Sequence, residues 1–351
     1  MKLHIVVASL FALTLSACGG NGSNTASTNS GNSSGGNSNG TGATTCTIAN
    51  THPLVAVALT GGAGTAQFSS GGTTLTYSGN LSGTLNLVQD ANAPAPLNKA
   101  CMDSSGNSST MRTVMQSNGS LGISHTLVNG NDQPVFLMDS RALASNTNLG
   151  ALQGTYTVLR YQHDTGSTPA QTRMSYATIT IDSLGNWSMC KNTSTCSTAT
   201  ATGTFAAHSG SSYAFDLSSG GLVRATAFMV GAGTNSTLVV TENDTGGGGI
   251  VTGIWLGVPQ SAWNPVAGSY VLNTSDDIQN PITASIQNLI VKTQNIALTP
   301  NTPITGIATA TVSDGTINYL ISSPAGLLVT GNNTGNNFAN GPAYFSFGVM
   351  P

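Results

Sequence analysis

The sequence predicts an all-β protein: tandem antiparallel meander units, each a β-barrel or a β-sandwich, following a disordered stalk. Three observations carry that prediction. β-Branched and aromatic residues recur in period-2 runs bounded by Gly, Asn, Asp and Ser clusters, the pattern of short antiparallel strands, and no long stretch shows helical periodicity. One hairpin pattern returns three times along the chain. Residues 19–45 consist only of Gly, Asn, Ser, Thr and Ala, which cannot bury enough apolar surface to offset their ordering entropy.

The N-terminus comes first. Lys2 supplies a positive charge, and residues 5–15 form an apolar run broken only by Ser9 and Thr14, too short to span a bilayer. It ends at Leu15-Ser16-Ala17-Cys18, which resembles the lipobox of bacterial lipoproteins. The resemblance implies that 1–17 is a signal peptide and that Cys18 becomes the N-terminus, carrying a thioether-linked diacylglycerol and an amide-linked acyl chain such as palmitate. Two acyl attachments suffice for durable anchoring. Gly19, rather than Asp, follows the cysteine, which implies the outer membrane as destination. Ordinary secretory cleavage after Ala17 is the alternative. Residues 18–45 are then a lipidated cysteine and a stalk holding the body roughly 30 Å from the anchor. Two G-x-S-x-G matches in the stalk, at Ser33 and Ser38, lack the strand-to-helix turn that gives this motif its chemistry. The stalk's hydroxyl and amide side chains are also possible glycan acceptors.

The body divides into β units at 46–149, 150–262 and 263–351. Expected strands include 54–59, 73–77, 81–88, 155–161, 176–181, 186–190, 222–230 and 237–241, while 285–298 reads as one bent strand, two strands or a short helix. The repeated hairpin begins at Leu127-Val128, Val239-Val240 and Leu328-Val329 and passes through an Asn-rich turn. It returns through Phe136-Leu137, Trp255-Leu256 and Tyr344-Phe345. Gly154-Thr155-Tyr156 and Gly268-Ser269-Tyr270 open the second and third units. Leu217-Ser218-Ser219-Gly220 is matched by Val312-Ser313-Asp314-Gly315. Units of about 90 to 110 residues exceed a propeller blade, so meander barrels or sandwiches fit better. With about eight strands after Gly154 and Tyr156, the middle unit resembles a lipocalin-type barrel, the family's usual Trp being Tyr here. That resemblance implies a closed apolar cavity within 150–262 and a small ligand.

Cys18 aside, four cysteines remain, an even number in an exported chain. Cys190 and Cys196 are expected to pair across one hairpin, leaving Cys46 to pair with Cys101. Neither the cysteine spacing nor His52, His125, His163 and His208 supplies clustered ligand pairs, so no metal site is expected, and no cofactor.

Charged residues are 6% of the chain, against about 25% in ordinary globular proteins. The formal net charge is −3 and Lys and Arg nowhere cluster, which removes nucleic acid as a partner. Glu242 is the only glutamate, and the loop Glu242-Asn243-Asp244-Thr245-Gly246 reads as a turn rather than a calcium site, because its third-unit counterpart keeps the turn residues without the carboxylates. Asp276-Asp277 reads as a solvated pair. Ser188-Met189-Cys190-Lys191 matches S-x-x-K, but residues three apart on a strand face opposite ways. No catalytic residue is therefore assigned. The densest polar patch is Arg160-Tyr161-Gln162-His163-Asp164, with Arg173 and Tyr176 across the next turn. It reads either as a barrel mouth for a small polar or anionic ligand or as a charge-guarded sheet edge with a His-Asp surface pair.

These readings lead to a non-enzymatic, membrane-anchored surface lipoprotein with an interaction or structural role, its partner a surface protein or a glycan. A ligand-binding barrel, or a hydrolase whose site is assembled from distant residues, are the alternatives.

Overall fold

Strand alternation and short turns wind this chain into three successive eight-stranded meanders. The computed structural model describes residues 46–89, 93–104, 111–128, 131–166, 170–244, 250–275, 282–284, 288–291, 294–312, 315–333 and 343–351. The signal segment, Cys18, the stalk, Asp276, Asp277, Thr245 and Gly246 lie outside them.

The first meander comprises β1 (Leu54–Ala58), β2 (Ala63–Phe68), β3 (Thr74–Gly79), β4 (Gly83–Gln89), β5 (Cys101–Asp103), β6 (Val114–Met115), β7 (Leu121–Val128) and β8 (Asn131–Asp139). Its order is β5-β4-β3-β2-β1-β8-β7-β6. The seam between the two outermost strands is joined by one bridge, Cys101 with Thr113, whose backbone groups exchange hydrogen bonds of 2.8 and 2.8 Å.

The second meander is a closed barrel of β9 (Gly154–Asp164), β10 (Gln171–Ile181), β11 (Asn186–Lys191), β12 (Ala201–Ala207), β13 (Phe215–Ser219), β14 (Leu222–Val230), β15 (Thr237–Asp244) and β16 (Val251–Pro259). The third is likewise closed, with β17 (Gly268–Thr274), β18 (Ile282–Ala284), β19 (Asn288–Val291), β20 (Gln294–Pro300), β21 (Ala308–Thr311), β22 (Ile317–Ser323), β23 (Leu327–Asn333) and β24 (Ala343–Val349). Two closed barrels and one curled eight-stranded sheet, rather than sandwiches, are therefore the architecture. Among the described residues of 285–298, Asn288–Val291 forms β19 and the remainder belongs to β20 (Gln294–Pro300).

Closure corrects the repeat register by one residue. Val239 pairs with Leu256 in the second barrel and Val329 with Phe347 in the third, while Glu242 pairs with Gly253 and Asn332 with Tyr344. Glu242 therefore corresponds to Asn332, not to Gly331. A one-residue shift exchanges the two faces of a strand, so it decides which residues enter a barrel.

Inward faces fill two of the cores. Leu54, Phe68, Leu75, Tyr77, Leu85 and Leu137 pack inside the first meander, and Tyr156, Ile179, Trp187, Phe205, Phe215 and Met229 inside the second. The outward faces are apolar as well. Phe136, Met138, Leu159, Tyr161, Tyr176, Phe228, Leu256, Tyr319, Phe345 and Phe347 belong to one cluster spanning all three meanders. Phe136 meets Phe347 edge-on at 5.7 Å, and Tyr176 meets Tyr319 at 5.4 Å. The three meanders thus share one outer core, and residues 44–351 form one compact unit. The β1–β2 turn shows how closely they approach. A Cβ on Gly61 would stand 2.7 Å from the Glu242 carbonyl oxygen, and the Gly62 N–H donates to Thr241 Oγ1 at 2.9 Å.

Asn273 stitches the third barrel to the seam of the first. Its Oδ1 accepts from the Arg112 N–H at 2.9 Å, and its Nδ2 donates to the carbonyls of Arg112 and Ser124, each at 2.8 Å. The side chain is buried, and alanine would leave three backbone groups without these partners. Asn273→Ala is expected to destabilise the protein by about 3 kcal/mol, read from the urea midpoint. An unchanged midpoint would remove the stitch.

Both disulfides form, Cys46 with Cys101 and Cys190 with Cys196. Among the described residues no helix is long and apolar enough to cross a membrane.

Candidate functional site in the second barrel

Alternation sends Tyr156, Val158, Arg160 and Gln162 of β9 into the second barrel. Tyr156 and Val158 belong to its apolar core, whereas Arg160 and Gln162 continue into a polar end. Glu242 on β15 and Gln162 on β9 both pair with Gly253 of the intervening strand. Gly253 has no side chain to separate them, and a Cβ there would stand 2.0 Å from the Tyr161 carbonyl oxygen.

Glu242 is consequently held from several sides. Gln162 Nε2 lies 3.0 and 2.9 Å from its two oxygens, and the Trp255 indole N–H donates to Oε2 at 2.8 Å. Arg160 Nη2 stands 3.7 Å from Oε1, and its guanidinium stacks 4.0 Å from the centre of the Trp255 ring. Burial pulls the Arg160 pKa down while Glu242 opposes the shift.

The strands beside it carry further cations. Arg173 on β10 donates to Asp164 Oδ2 at 2.9 Å, and Asp164 Oδ1 accepts the Gly166 N–H at 3.0 Å. Ser175 pairs with Arg160 across β9 and β10, and Lys191 with Ala177 across β10 and β11. Burial, reinforced by Arg160 and Arg173 and opposed by Glu242, pushes the Lys191 ammonium down to about 8. The folded pKa is then below the unfolded one, so the unfolded chain holds more protons between about 8 and 10.4; stability rises with pH across that window, and the cost of the buried charge is fully present below it. The Cys190–Cys196 bridge ties down the end of β11 beside this lysine.

Three buried donors here have no hydrogen-bond partner: Arg160 Nε, Arg173 Nε and Ser175 Oγ. Arg160 is 5% exposed and Ser175 2%. Leaving such groups unpaired is costly. Among the described side chains three cations face two carboxylates, an excess of one positive charge.

Comparison with protein families, curated proteins and solved structures returned no match. The site therefore rests on its own geometry.

Of the expected patch, Arg160, Asp164 and Arg173 come together inside the barrel end. Tyr161 does not: it faces outward into the shared core, 5.8 Å from Phe345, its hydroxyl pushed up to about 12 by burial. Alternation puts His163 on that outward face too, and Asp164 pairs with Arg173 instead, which corrects the His-Asp surface pair. The charge-guarded edge is corrected as well, because β9 is hydrogen-bonded on both sides. Glu242 is a strand residue inside the barrel, not part of a turn. Gln162 joins Arg160, Asp164 and Arg173, and Ser175, Lys191 and Trp255 are additions that the sequence reading lacked, although carrying the alternation of β9 across to β10, β11 and β16 places each of them.

His–Asp pairs do occur elsewhere. His125 Nδ1 lies 2.8 Å from Asp132 Oδ1, buried, and His208 Nδ1 lies 2.6 Å from Asp216 Oδ1, near the surface. A cavity of about 540 Å³ between the first and second meanders is lined by Thr65, Asn80, Tyr213, Thr226 and Asn243. Among the described residues no group of three or more His, Cys, Asp or Glu could hold a metal.

Proposed function

We propose that this chain is a non-enzymatic lipoprotein of the outer membrane, anchored through Cys18 and presenting its three-meander body for binding, with the polar end of the second barrel as the recognition site. The observation that carries the binding reading is the set of buried, unpartnered donors at Arg160, Arg173 and Ser175. Folding alone gains nothing from them, and a ligand would satisfy them. Binding rather than catalysis is supported by the carboxylates. Glu242 is engaged by Gln162 and Trp255, and Asp164 by Arg173 and a backbone N–H, so both act as fixed partners of cations rather than as groups presented for proton transfer.

The anchor is supported by Leu15-Ser16-Ala17-Cys18 behind a short apolar segment. Wild-type protein expressed in a Gram-negative host is expected to incorporate labelled palmitate and to sediment with outer-membrane fractions; Cys18→Ser is expected to lose the label and stay unprocessed. A Cys18→Ser product that remains acylated and sediments like wild type would refute the anchor.

A further inference from the structure

We infer that the polar end of the second barrel binds a small organic monoanion, a carboxylate, through Arg160, Arg173, Ser175 and Lys191. The inference rests on the recognition site proposed above and adds the chemistry of its ligand.

Ser175 lies at the centre of the arrangement. Arg160 is its direct cross-strand partner, Arg173 is two residues away on the same face of β10, and Lys191 is the cross-strand partner of Ala177, two residues the other way. Inward residues at such spacings lie within reach of a single small group. The buried atoms without a partner are two guanidinium Nε–H groups and one hydroxyl able to donate, and the Lys191 ammonium one strand over is donor-only. The complement is a group that only accepts. Water or a neutral amide would satisfy some of these donors and leave the excess charge uncompensated. One excess positive charge selects a monoanion over a phosphate dianion. The planar pair of carboxylate oxygens also suits guanidinium N–H donors, which recognise such groups in a fork.

The other charged groups facing Lys191 are Arg160 on β9, Arg173 on β10 and Glu242 on β15. The two arginines keep their charge at all working pH values. Loss of the Lys191 proton above about 8 therefore weakens the site without abolishing it.

Full-length protein purified in detergent would be titrated calorimetrically with acetate, propionate and benzoate, and with sulfate and phosphate, at constant ionic strength. Carboxylate binding at pH 7 is expected, weaker at pH 9. Arg173→Gln and Lys191→Gln should each weaken it about tenfold or more, the loss of one charge-assisted hydrogen bond. Ser175→Ala should weaken it less. Arg173→Lys serves as a charge-conserving control should Arg173→Gln fail to fold. Binding that ignores these substitutions, tighter binding of phosphate than of any carboxylate, or no binding at all would each overturn the carboxylate assignment. None of these outcomes touches the palmitate result, so the anchor is judged separately. Saturation by a neutral solute that is lost in Ser175→Ala would overturn the anion while leaving a recognition site in place.

Discussion

Glu242→Ala is expected to lower the stability of the body by about 4 kcal/mol, because it strips the carboxylate from a buried guanidinium. Arg160 would keep its charge inside the barrel with only the Trp255 ring beneath it, and the Gln162 amide and the Trp255 indole N–H would lose their acceptor. Glu242→Gln should cost less, since an amide oxygen still accepts from the indole. The companion Arg160→Met with Glu242→Leu removes both charges and should recover most of the loss, as replacing a whole buried pair by apolar groups does. Urea denaturation of the three variants separates these outcomes. A double variant no better than Glu242→Ala would mean that the loss comes from packing and not from the unpaired charge.

Replacing Cys46 and Cys101 together by serine is expected to cost about 4 kcal/mol, from the chain entropy released when so long a loop is opened. The bridge spans a sequence separation of 55, whereas Cys190–Cys196 spans 6. Losing the shorter one should cost about 2.4 kcal/mol by the same reasoning. Position adds to the difference. Cys101 also supplies one side of a backbone bridge that joins β5 to the β6 side of the first meander. The first double variant should therefore show faster amide exchange at Cys101-neighbouring positions and at Thr113, while the second barrel keeps its protection. Equal losses for the two bridges would contradict this ordering.

Much of the fold was legible in the sequence because each meander is built from local hairpins. Strands such as β3 and β4 alternate cleanly between clear turns, and the Gly-x-Tyr openings mark the first strands of two barrels. What escaped was the role of the outward faces. Ile254-Trp255-Leu256 and Val135-Phe136-Leu137 are apolar at every position, the mark of a strand buried on both sides. Read as ordinary alternating strands, they say nothing of barrels packed against one another. The candidate site was half legible for a related reason. Arg160, Arg173 and Lys191 lie on consecutive hairpin strands, but Glu242 reaches them only through barrel closure. Motif similarity alone sets Glu242 against Gly331, one residue from its structural counterpart Asn332, which disguises the carboxylate as part of a turn. The lipidated cysteine was readable only as a motif, and it lies outside the described residues.

Amine-reactive labelling of Lys191 as a function of pH, read by peptide mass in the full-length protein, tests the recognition site most directly. The half-point of reaction should fall near 8, where burial and the neighbouring arginines hold this ammonium, and saturating carboxylate should slow the labelling and move the half-point upward. A lysine that titrates at the ordinary value of about 10.4 and labels equally fast with and without carboxylate would contradict it.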